Sequence, residues 1–411
     1  MSEVSTKFTK YQLFVAITIA LLQFCVVLDF MVLAPLGTFV MPELGINEKQ
    51  FSIVVAAYAL SAGASAIATS FFADKFDRKK LLIFFFTGFI LGTLYCGLAN
   101  SFTHLFLARM ITGIFGGVLS SISYAIVTDL FEPNKRGRVV GMIQMSFGLS
   151  QVIGIPIAIT LYNQFKNWHL IFLICVALAV LIVLLVLFFL KPVNEHLKLQ
   201  VGSNVWSHFM DTIKNKRYLS AFGATVLLVT GGFMIMPFAS DFATHNLKIT
   251  ENQLSFVYIL TGGITFISSL VAGYLSDKIN RLYIFTFGTF LSICIVLIYT
   301  RLGVTDLWLV ILLNCILFMG ISSRIVPTQA LMTSIPEPKD RGVFMSINSA
   351  IQQVSGGISA LISGSIVYKN ANEELVNYDI VGIVVAISMI CAWLMFRNLF
   401  LKIKRNLKES N

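Results

Sequence analysis

The sequence predicts an all-α membrane protein of twelve transmembrane helices, arranged as two pseudo-symmetric six-helix bundles. Three observations carry this expectation. The composition is 57% hydrophobic and only 12% charged, whereas soluble domains carry roughly 25% charged residues; too little polar surface exists to cover a single soluble core. Apolar runs of about 20 residues, each able to cross a hydrocarbon core ~30 Å thick, recur along the whole chain. Several segments also repeat at a nearly constant spacing.

The spans are placed at 12–40, 50–73, 80–99, 102–130, 139–163, 169–190, 218–244, 253–276, 282–301, 305–335, 343–369 and 378–400. Residues 1–11 are polar, and the first apolar run continues into a span, so a cleaved signal peptide is not expected. With the N-terminus inside, five basic residues fall outside (Lys49, Lys166, Lys248, Arg301 and Lys369) and two within spans (Arg109 and Arg324). The remaining 23 of the 30 Lys and Arg fall on the cytoplasmic side. This positive-inside bias puts both termini in the cytoplasm. The net charge of +10 is therefore expected to orient the protein and meet anionic lipid, with no nucleic-acid partner.

The internal repeat is direct. LGINEKQFSIV from Leu44 matches LKITENQLSFV from Leu247 at an offset of 203, which also carries Asp74, Lys75 and Arg78 onto Asp277, Lys278 and Arg281. EPNKRG from Glu132 matches EPKDRG from Glu337 at an offset of 205. Three matches in one order, on the same side of equivalent spans, indicate duplication. Each copy has an even number of spans, so the copies share one orientation and are related by an axis along the membrane normal. The chain divides into a first bundle at 1–190, a cytoplasmic linker at 191–217 and a second bundle at 218–411. In the linker, Val205, Trp206, Phe209, Met210 and Ile213 share one helical face, which predicts a short amphipathic helix at the membrane interface.

The six cysteines lie inside apolar runs with no metal or redox spacing. No nucleotide-binding loop, His-Glu metal helix or nucleophile constellation is present. No cofactor, metal or enzyme activity is expected.

Two tight loops, SFFADKFDRKKLL from Ser70 and GYLSDKINRLYIF from Gly273, are acidic and then basic. A carboxylate there can sit near a neighbouring helix N-terminus. At these residues the chain resembles the major facilitator superfamily, and the resemblance implies its two-bundle fold. It also implies that the loop's Asp and Arg lock the cytoplasmic gate, a role that carries over to Asp74, Lys75, Arg78 and Lys79. The matched loops add Asp277, Arg281, Arg136 and Arg341 as gate candidates. The sequence departs at Ser70 and Asp77, where the family usually has Gly. In span 4, LARMITGIFGG from Leu107 resembles the family's Arg-containing motif associated with proton-coupled antiporters, carrying over to Arg109, Gly113 and Gly117. In span 5, GLSQVIGIPIAI from Gly148 matches the antiporter pattern only in part. Gly154 and Pro156 are separated by Ile155, and the following Gly pair is absent; Pro156 is expected to bend this span. Within span 1, DFMVLAP from Asp29 is similar to the first span of the twelve-span drug and sugar efflux permeases. The resemblance implies a secondary active transporter moving a small organic solute by alternating access, with proton-coupled efflux as the first reading. A proton-linked importer or facilitator, a lipid transporter and a non-transporting membrane sensor are the alternatives. A monomer in a bacterial inner membrane is expected.

Charges inside spans are costly, at least ~2.5–3.5 kcal/mol at a helix centre on insertion scales. Asp29, Arg109 and Arg324 are therefore singled out, while Asp129 and Asp241 lie nearer span ends and read mainly as interfacial, with a functional role as the alternative for Asp241. At the repeat offsets, Asp29 falls opposite Gly232, Arg109 opposite Asn314 and Arg324 opposite Leu119, so the deep charges are not duplicated. Asp29 and Arg109, at similar depth, read as a structural ion pair or as a proton-coupling pair. Arg324 reads as a contact for an anionic substrate group, a structural pair or a residue snorkelling to the interface. Gln23, Gln144, Gln151, Asn314, Gln352 and Gln353 are candidate cavity-lining residues, each also readable as a helix–helix hydrogen bond.

Overall fold

The computed structural model describes residues 8–194, 197, 205–337 and 340–409; the side chains at 74, 133, 134, 205–208, 277, 341 and 402–409 lie outside the described residues. The first half runs α1 (Lys10–Leu44), α2 (Glu48–Ser70), α3 (Arg78–Cys96), α4 (Phe102–Leu130), α5 (Pro133–Leu149), α6 (Ile155–Phe165) and α7 (His169–Phe189). A connecting helix α8 (Val205–Lys214) precedes α9 (Lys216–Ile235), α10 (Ala239–His245), α11 (Glu251–Lys278), α12 (Arg281–Tyr299), α13 (Leu307–Met332), α14 (Arg341–Ile366) and α15 (Tyr378–Glu409). Helices α5 and α6 form one crossing, as do α9 and α10. A two-stranded hairpin, β1 (Tyr368–Lys369) antiparallel to β2 (Leu375–Val376), joins the last two crossings.

The repeated residues are helix ends. Gly45 and Lys248, 203 apart, both adopt left-handed backbone, with φ of 62° and 60°. That conformation is free for Gly and costs an L-residue of order 1 kcal/mol. Two residues later, Asn47 and Thr250 open capping boxes: each side chain accepts from the backbone of Gln50 or Gln253, and each glutamine side chain accepts in return from the cap backbone. Such reciprocal caps satisfy two of the orphan N–H groups at a helix start. Asp77 and Asn280, again 203 apart, cap α3 and α12 through the N–H groups of Lys79 and Leu282. Asp77 thus has a structural task where the family usually has Gly.

Eleven helical segments among the described residues are long and apolar enough to cross a membrane. The twelfth expected crossing is α14, which at 26 residues is also long enough, about 39 Å at 1.5 Å per residue. It is rich in Ser, Gln and Gly, and several of its polar and small residues meet neighbouring helices. Asn348 pairs with Thr225 (2.7 Å), and Ser363 donates to the Met234 carbonyl (2.6 Å). Glycines of α14 lie against α2: a Cβ on Gly357 would meet Leu60, and one on Gly364 would meet Ser52. Pro156 acts as expected. A π-helical turn at Ser150–Gly154 precedes it, with the Ile155 N–H bonded to the Ser150 carbonyl, so the ladder widens where proline withdraws a donor.

The core is divided unequally. We call the membrane side carrying both chain termini the terminal side and the other the distal side. One distal cluster takes residues from both halves, including Leu36, Phe51, Trp168, Phe238, Phe242 and Val381. On the terminal side two clusters form instead, one of first-half residues such as Leu82, Phe86 and Ile126, the other centred on Phe222, Phe285, Phe344 and Phe396. Helix α8 belongs to this last cluster. Phe209 is buried there, with Met210 and Ile213 packed against it, and its ring lies 5.0 Å from Phe71 at the end of α2. The expectation of a helix lying on the membrane interface is modified: Phe209, Met210 and Ile213 of its apolar face pack against protein. The side chains of Val205 and Trp206 lie outside the described residues.

Gly113 and Gly117 bring α4 against α2. A Cβ on Gly117 would fall 2.6 Å from the Cα of Ala62, and one on Gly113 would overlap Ser61 and the Tyr58 backbone. Gly117→Val is expected to destabilise the protein by about 1–3 kcal/mol or more, since the obstacle is backbone. Thermal unfolding of the purified variant checks this; an unchanged transition would show that the two helices are not closely packed.

Candidate functional site

Asp29 and Arg109 meet as an ion pair in the interior of the first bundle. Arg109 Nη1 donates to Asp29 Oδ2 at 2.9 Å and to the Asp29 carbonyl at 3.1 Å; both side chains are essentially inaccessible, at 0% and 1%. The Thr93 hydroxyl donates to Asp29 Oδ1 at 3.1 Å, and the Arg109 guanidinium stands 4.5 Å from the centre of the Tyr58 ring. Four helices thus supply the cluster: α1 the acid, α2 the ring, α3 the hydroxyl and α4 the cation. Arg109, Gly113 and Gly117 are spaced i, i+4, i+8 and share one helix face. The small stripe that admits α2 therefore also lays Tyr58 over Arg109. Sequence reasoning paired Asp29 with Arg109 but missed Thr93 and Tyr58, two ordinary span residues with no charge to mark them.

A second polar cluster stands on the distal side around Asp241, whose place near a span end reads from sequence mainly as interfacial. Asp241 is instead 1% exposed, held by Lys369 (3.0 Å) and His245 (2.9 Å). It accepts from Thr38 of the opposite bundle at 3.3 Å, and Thr38 also meets Thr244 at 3.0 Å. His245 Nε2 lies 3.5 Å from Glu373. Thr38 and Asp241 are themselves 203 apart, as are Phe30 and Phe233, whose rings stand 5.9 Å apart. Equivalent positions of the two copies therefore face one another across the pseudo-twofold axis. The turn of the β1–β2 hairpin brings Lys369 and Glu373 over this contact. Asn163–Asn252 (3.0 Å) and Lys166–Glu251 (2.6 Å) join the bundles nearby; the latter hydrogen bond pushes the Lys166 pKa up.

The terminal-side loops hold to their own bundles in the contacts described. Arg78 and Arg281 donate to carbonyls five residues back, Ala73 and Ser276, and Arg78 also pairs with Asp129 at 3.4 Å. Arg136 donates to the Phe131 and Thr128 carbonyls at the end of α4, and Lys79 to the Leu187 carbonyl near the end of α7. Basic side chains at helix C-termini satisfy orphan carbonyls and complement the dipole. Lys75 is exposed. The side chains of Asp74, Asp277 and Arg341 lie outside the described residues.

The seam between α5 and α11 changes along its length. Gly148 and Gly262 are in contact range of Phe266 and Val152, but a Cβ on Gly137, Gly141 or Gly273 would meet nothing within 4 Å. Gly137, Gly141 and Gly148 lie on one face of α5, separated by 4 and 7 residues. The helices therefore touch at mid-depth and diverge toward the terminal side.

Of the candidate lining residues, Gln23 bonds to Ser120 (2.8 Å) and Gln144 accepts from Tyr124 (3.2 Å), both within the first bundle. Asn314 donates to the Val310 carbonyl of its own helix. Gln151, in the π-turn, and Gln352 and Gln353 are half-buried. Arg324 is 3% exposed, and its Nε and Nη2 have no hydrogen-bond partner among the described residues.

Two six-helix bundles with one shared distal core, separate terminal cores and an unduplicated buried ion pair define a membrane transporter rather than an enzyme. The chain belongs to the major facilitator superfamily, whose family model matches residues 19–220 and again 221–410. It is 31% identical over 201 residues to multidrug resistance protein 3 of Bacillus subtilis (strain 168), covering 48% of this chain and 37% of that one. Two uncharacterised MFS-type transporters of the same organism, YceJ and YbcL, are each 24% identical; YceJ covers 61% of this chain and 64% of its own, YbcL 88% and 87%. The matched regions thus span about a third and just under two thirds of the first two of these relatives. Among solved structures, an inward-facing, unoccupied bacterial homologue of the human lysosomal transporter Spinster superimposes with a TM-score of 0.73 at 15% identity, over 96% of this chain and 99% of that one. The nucleoside transporter NupG gives 0.73 at 16% identity, over 95% and 100%. These likenesses establish the fold. The protein is an integral membrane protein of this transporter superfamily.

Asp241→Asn keeps a group able to meet Thr38 but removes the charge that holds Lys369 and His245. It is expected to favour separation of the distal ends. Weakening that side by 1–2 kcal/mol corresponds to a roughly 5- to 30-fold larger open population. The labelling rate of a cysteine placed at the buried Ala243 by an impermeant maleimide measures it; an unchanged rate would show that the cluster does not hold the distal side shut.

Proposed function

We propose that the chain exports a small organic solute in exchange for protons, cycling between a state sealed on the distal side and one sealed on the terminal side. The observation that carries this reading is the Asp29–Arg109 pair: fully buried, tied to four helices and absent from the second copy. The terminal side is assigned to the cytoplasm by its basic loops, and the membrane to a bacterial plasma membrane by the organism of the relatives. The chain works as a monomer in this reading, with one pathway between its two bundles. The sealed distal side and diverging terminal side fit an inward-open state ready to take solute from the cytoplasm. Arg324, Gln23, Asn314, Gln144, Gln151, Gln352 and Gln353 are the residues proposed to serve the solute. The efflux direction is supported by the similarity to a multidrug resistance protein.

Proton exchange at Asp29 has a route that leaves the cluster intact. When the carboxylate takes a proton, Arg109 keeps its bond to the Asp29 carbonyl and its place over the Tyr58 ring. The Thr93 hydroxyl donates to the ionised acid and accepts from the protonated one. What changes is the net charge of a site in a low-dielectric interior, where an unneutralised guanidinium is strongly disfavoured. Protonation therefore favours whichever state gives Arg109 water. The loop basic residues Lys75, Arg78, Lys79, Arg136, Arg281 and Arg341, with Asp74 and Asp277, are assigned to closing the terminal side in the opposite state. The divergence of α5 and α11 favours one second reading, a lipid or other amphiphile entering sideways from the inner leaflet.

In proteoliposomes with an imposed pH gradient, carrying ethidium or 5-carboxyfluorescein, Asp29→Asn is expected to abolish gradient-driven dye movement while leaving exchange down a dye gradient. Full gradient-driven transport by this variant rules the coupling role out, and reversing the gradient separates export from import. Gly141→Val, at an open position on the diverging seam, is expected to keep wild-type thermal stability and lose transport, because α5 and α11 can no longer close there. A variant that transports normally would show that this seam does not close during the cycle.

A further inference from the structure

Every other deeply buried charge described in the protein has a partner or stands at a helix end that suits its sign. Asp29 has Arg109, Asp241 has Lys369, Arg78 has Asp129, Lys135 has Glu132 and Asp340 has Tyr218, while Glu48 stands in the first turn of α2, where the helix dipole stabilises an anion. Arg324 stands apart. It lies 17 residues into α13 from Leu307, about 25 Å along a helix of about 39 Å, so it is neither at an end nor near a loop. Its head is covered, and two of its three guanidinium nitrogens lack any acceptor among the described residues. Apart from Asp241, bound at the distal end, the acidic residues of the second half stand at helix ends or in connections.

This placement is costly and specific. Arginine does not surrender its proton in proteins, so it cannot escape burial by becoming neutral. A head that is 3% exposed has not snorkelled to an interface. The repeat-equivalent residue of the first bundle, Leu119, is fully buried in the terminal-side core of that bundle, so the fold itself needs only an apolar side chain at this point. The second copy holds a cation where packing asks for leucine.

We propose that Arg324 is the anchor for an oxyanion group of the transported solute, so that the substrate class is organic anions, with a carboxylate as the simplest member. This rests on the transport reading above and names its substrate. The guanidinium offers a planar fork of donors matched to a carboxylate or phosphate. An anion entering from the terminal side would give Arg324 the counter-charge it lacks, and a neutral or cationic solute would not. Arg324 lies closer to the terminal than to the distal end of α13, and on that side the two bundles have separate cores.

The test uses purified full-length protein at fixed pH without a gradient, so it is independent of proton coupling and of Asp29. Thermal unfolding is followed with a thiol-reactive dye on the buried Cys25, Cys96 and Cys175. The probes are benzoate, 2-naphthoate and 5-carboxyfluorescein, with 2-naphthamide and ethidium as uncharged and cationic controls. Inorganic phosphate and nanodiscs with or without phosphatidylglycerol are separate arms. In wild type, at least one carboxylate is expected to raise the melting temperature while naphthamide and ethidium do not. Arg324→Gln and Arg324→Met should weaken carboxylate binding on the order of 10- to 100-fold, and Arg324→Lys should weaken it less. Without ligand, Arg324→Met should melt higher than wild type, because an unpartnered buried charge has been removed. A lower melting temperature for that variant would reveal a structural pairing and overturn the proposal. So would inert carboxylates, unchanged affinity in Arg324→Gln, or stabilisation by phosphatidylglycerol or phosphate alone, which would assign the site to a lipid headgroup or inorganic ion. Loss of gradient-driven flux in Asp29→Asn together with inert carboxylates would leave proton-coupled export standing and remove only the substrate class.

Discussion

A charge inside a membrane protein is costly unless a partner or a water-filled cavity compensates it where it stands. In the first bundle Asp29 and Arg109 meet this demand with each other, and the rest of that bundle is built to let them. Arg109 reaches the α1 acid because α4 can press against α2, which Gly113 and Gly117 permit. The same approach puts Tyr58 over the guanidinium, and Thr93 of α3 fills a remaining lone pair of the acid. A Cβ at either glycine would push α4 from α2 and disturb the Tyr58 contact, so packing and electrostatics here are one constraint.

The second copy answers the demand differently. At the position of Asp29 stands Gly232, and at that of Arg109 stands Asn314. Its deep cation has moved to Arg324, and its buried acid to Asp241 at the distal rim, where Lys369 of the hairpin neutralises it. Duplication preserved the helix ends, since both copies must start and stop helices at the same depths. It did not preserve the deep charges, since neutralising a charge is a local matter that any partner at the right depth can satisfy. The two halves thus share a frame and divide the chemistry.

The sequence exposed the frame well because the frame is written in short-range signals. Capping residues such as Asn47, Thr250 and Asp77 act within three residues of themselves, so a repeat of six identical residues in eleven carries a repeat of geometry. The Asp29–Arg109 pair was also legible, since two charges at one depth in a hydrocarbon have few alternatives. What escaped was set by long-range approach. Asp241 looked interfacial because it sits near a span end; only the hairpin, folding Lys369 back over it, makes the site buried. Helix α8 looked like a membrane-surface helix because amphipathicity records that a face is covered, not what covers it. Likewise α14, the least apolar of the twelve crossings, shows that a span facing other helices needs fewer apolar residues than one facing lipid.

The two seams between the bundles differ in a way that bears on how they can move. Along α2 and α14 contact continues from Glu48 and Gly364 at the distal end, past Gly63 and Val354, toward Ile67. There α8 continues it, placing Phe209 against Phe71. Along α5 and α11 contact stops near Gly148 and Phe266, and the helices part below. A pure separation of the terminal ends would open both seams equally. In the proposed cycle, one closed and one open seam fit a rotation with the α2–α14 side as its inner edge. The linker helix is tied to that edge, so it can stay packed while the far seam swings, and the core clusters on the terminal side need not break to let the bundles rock.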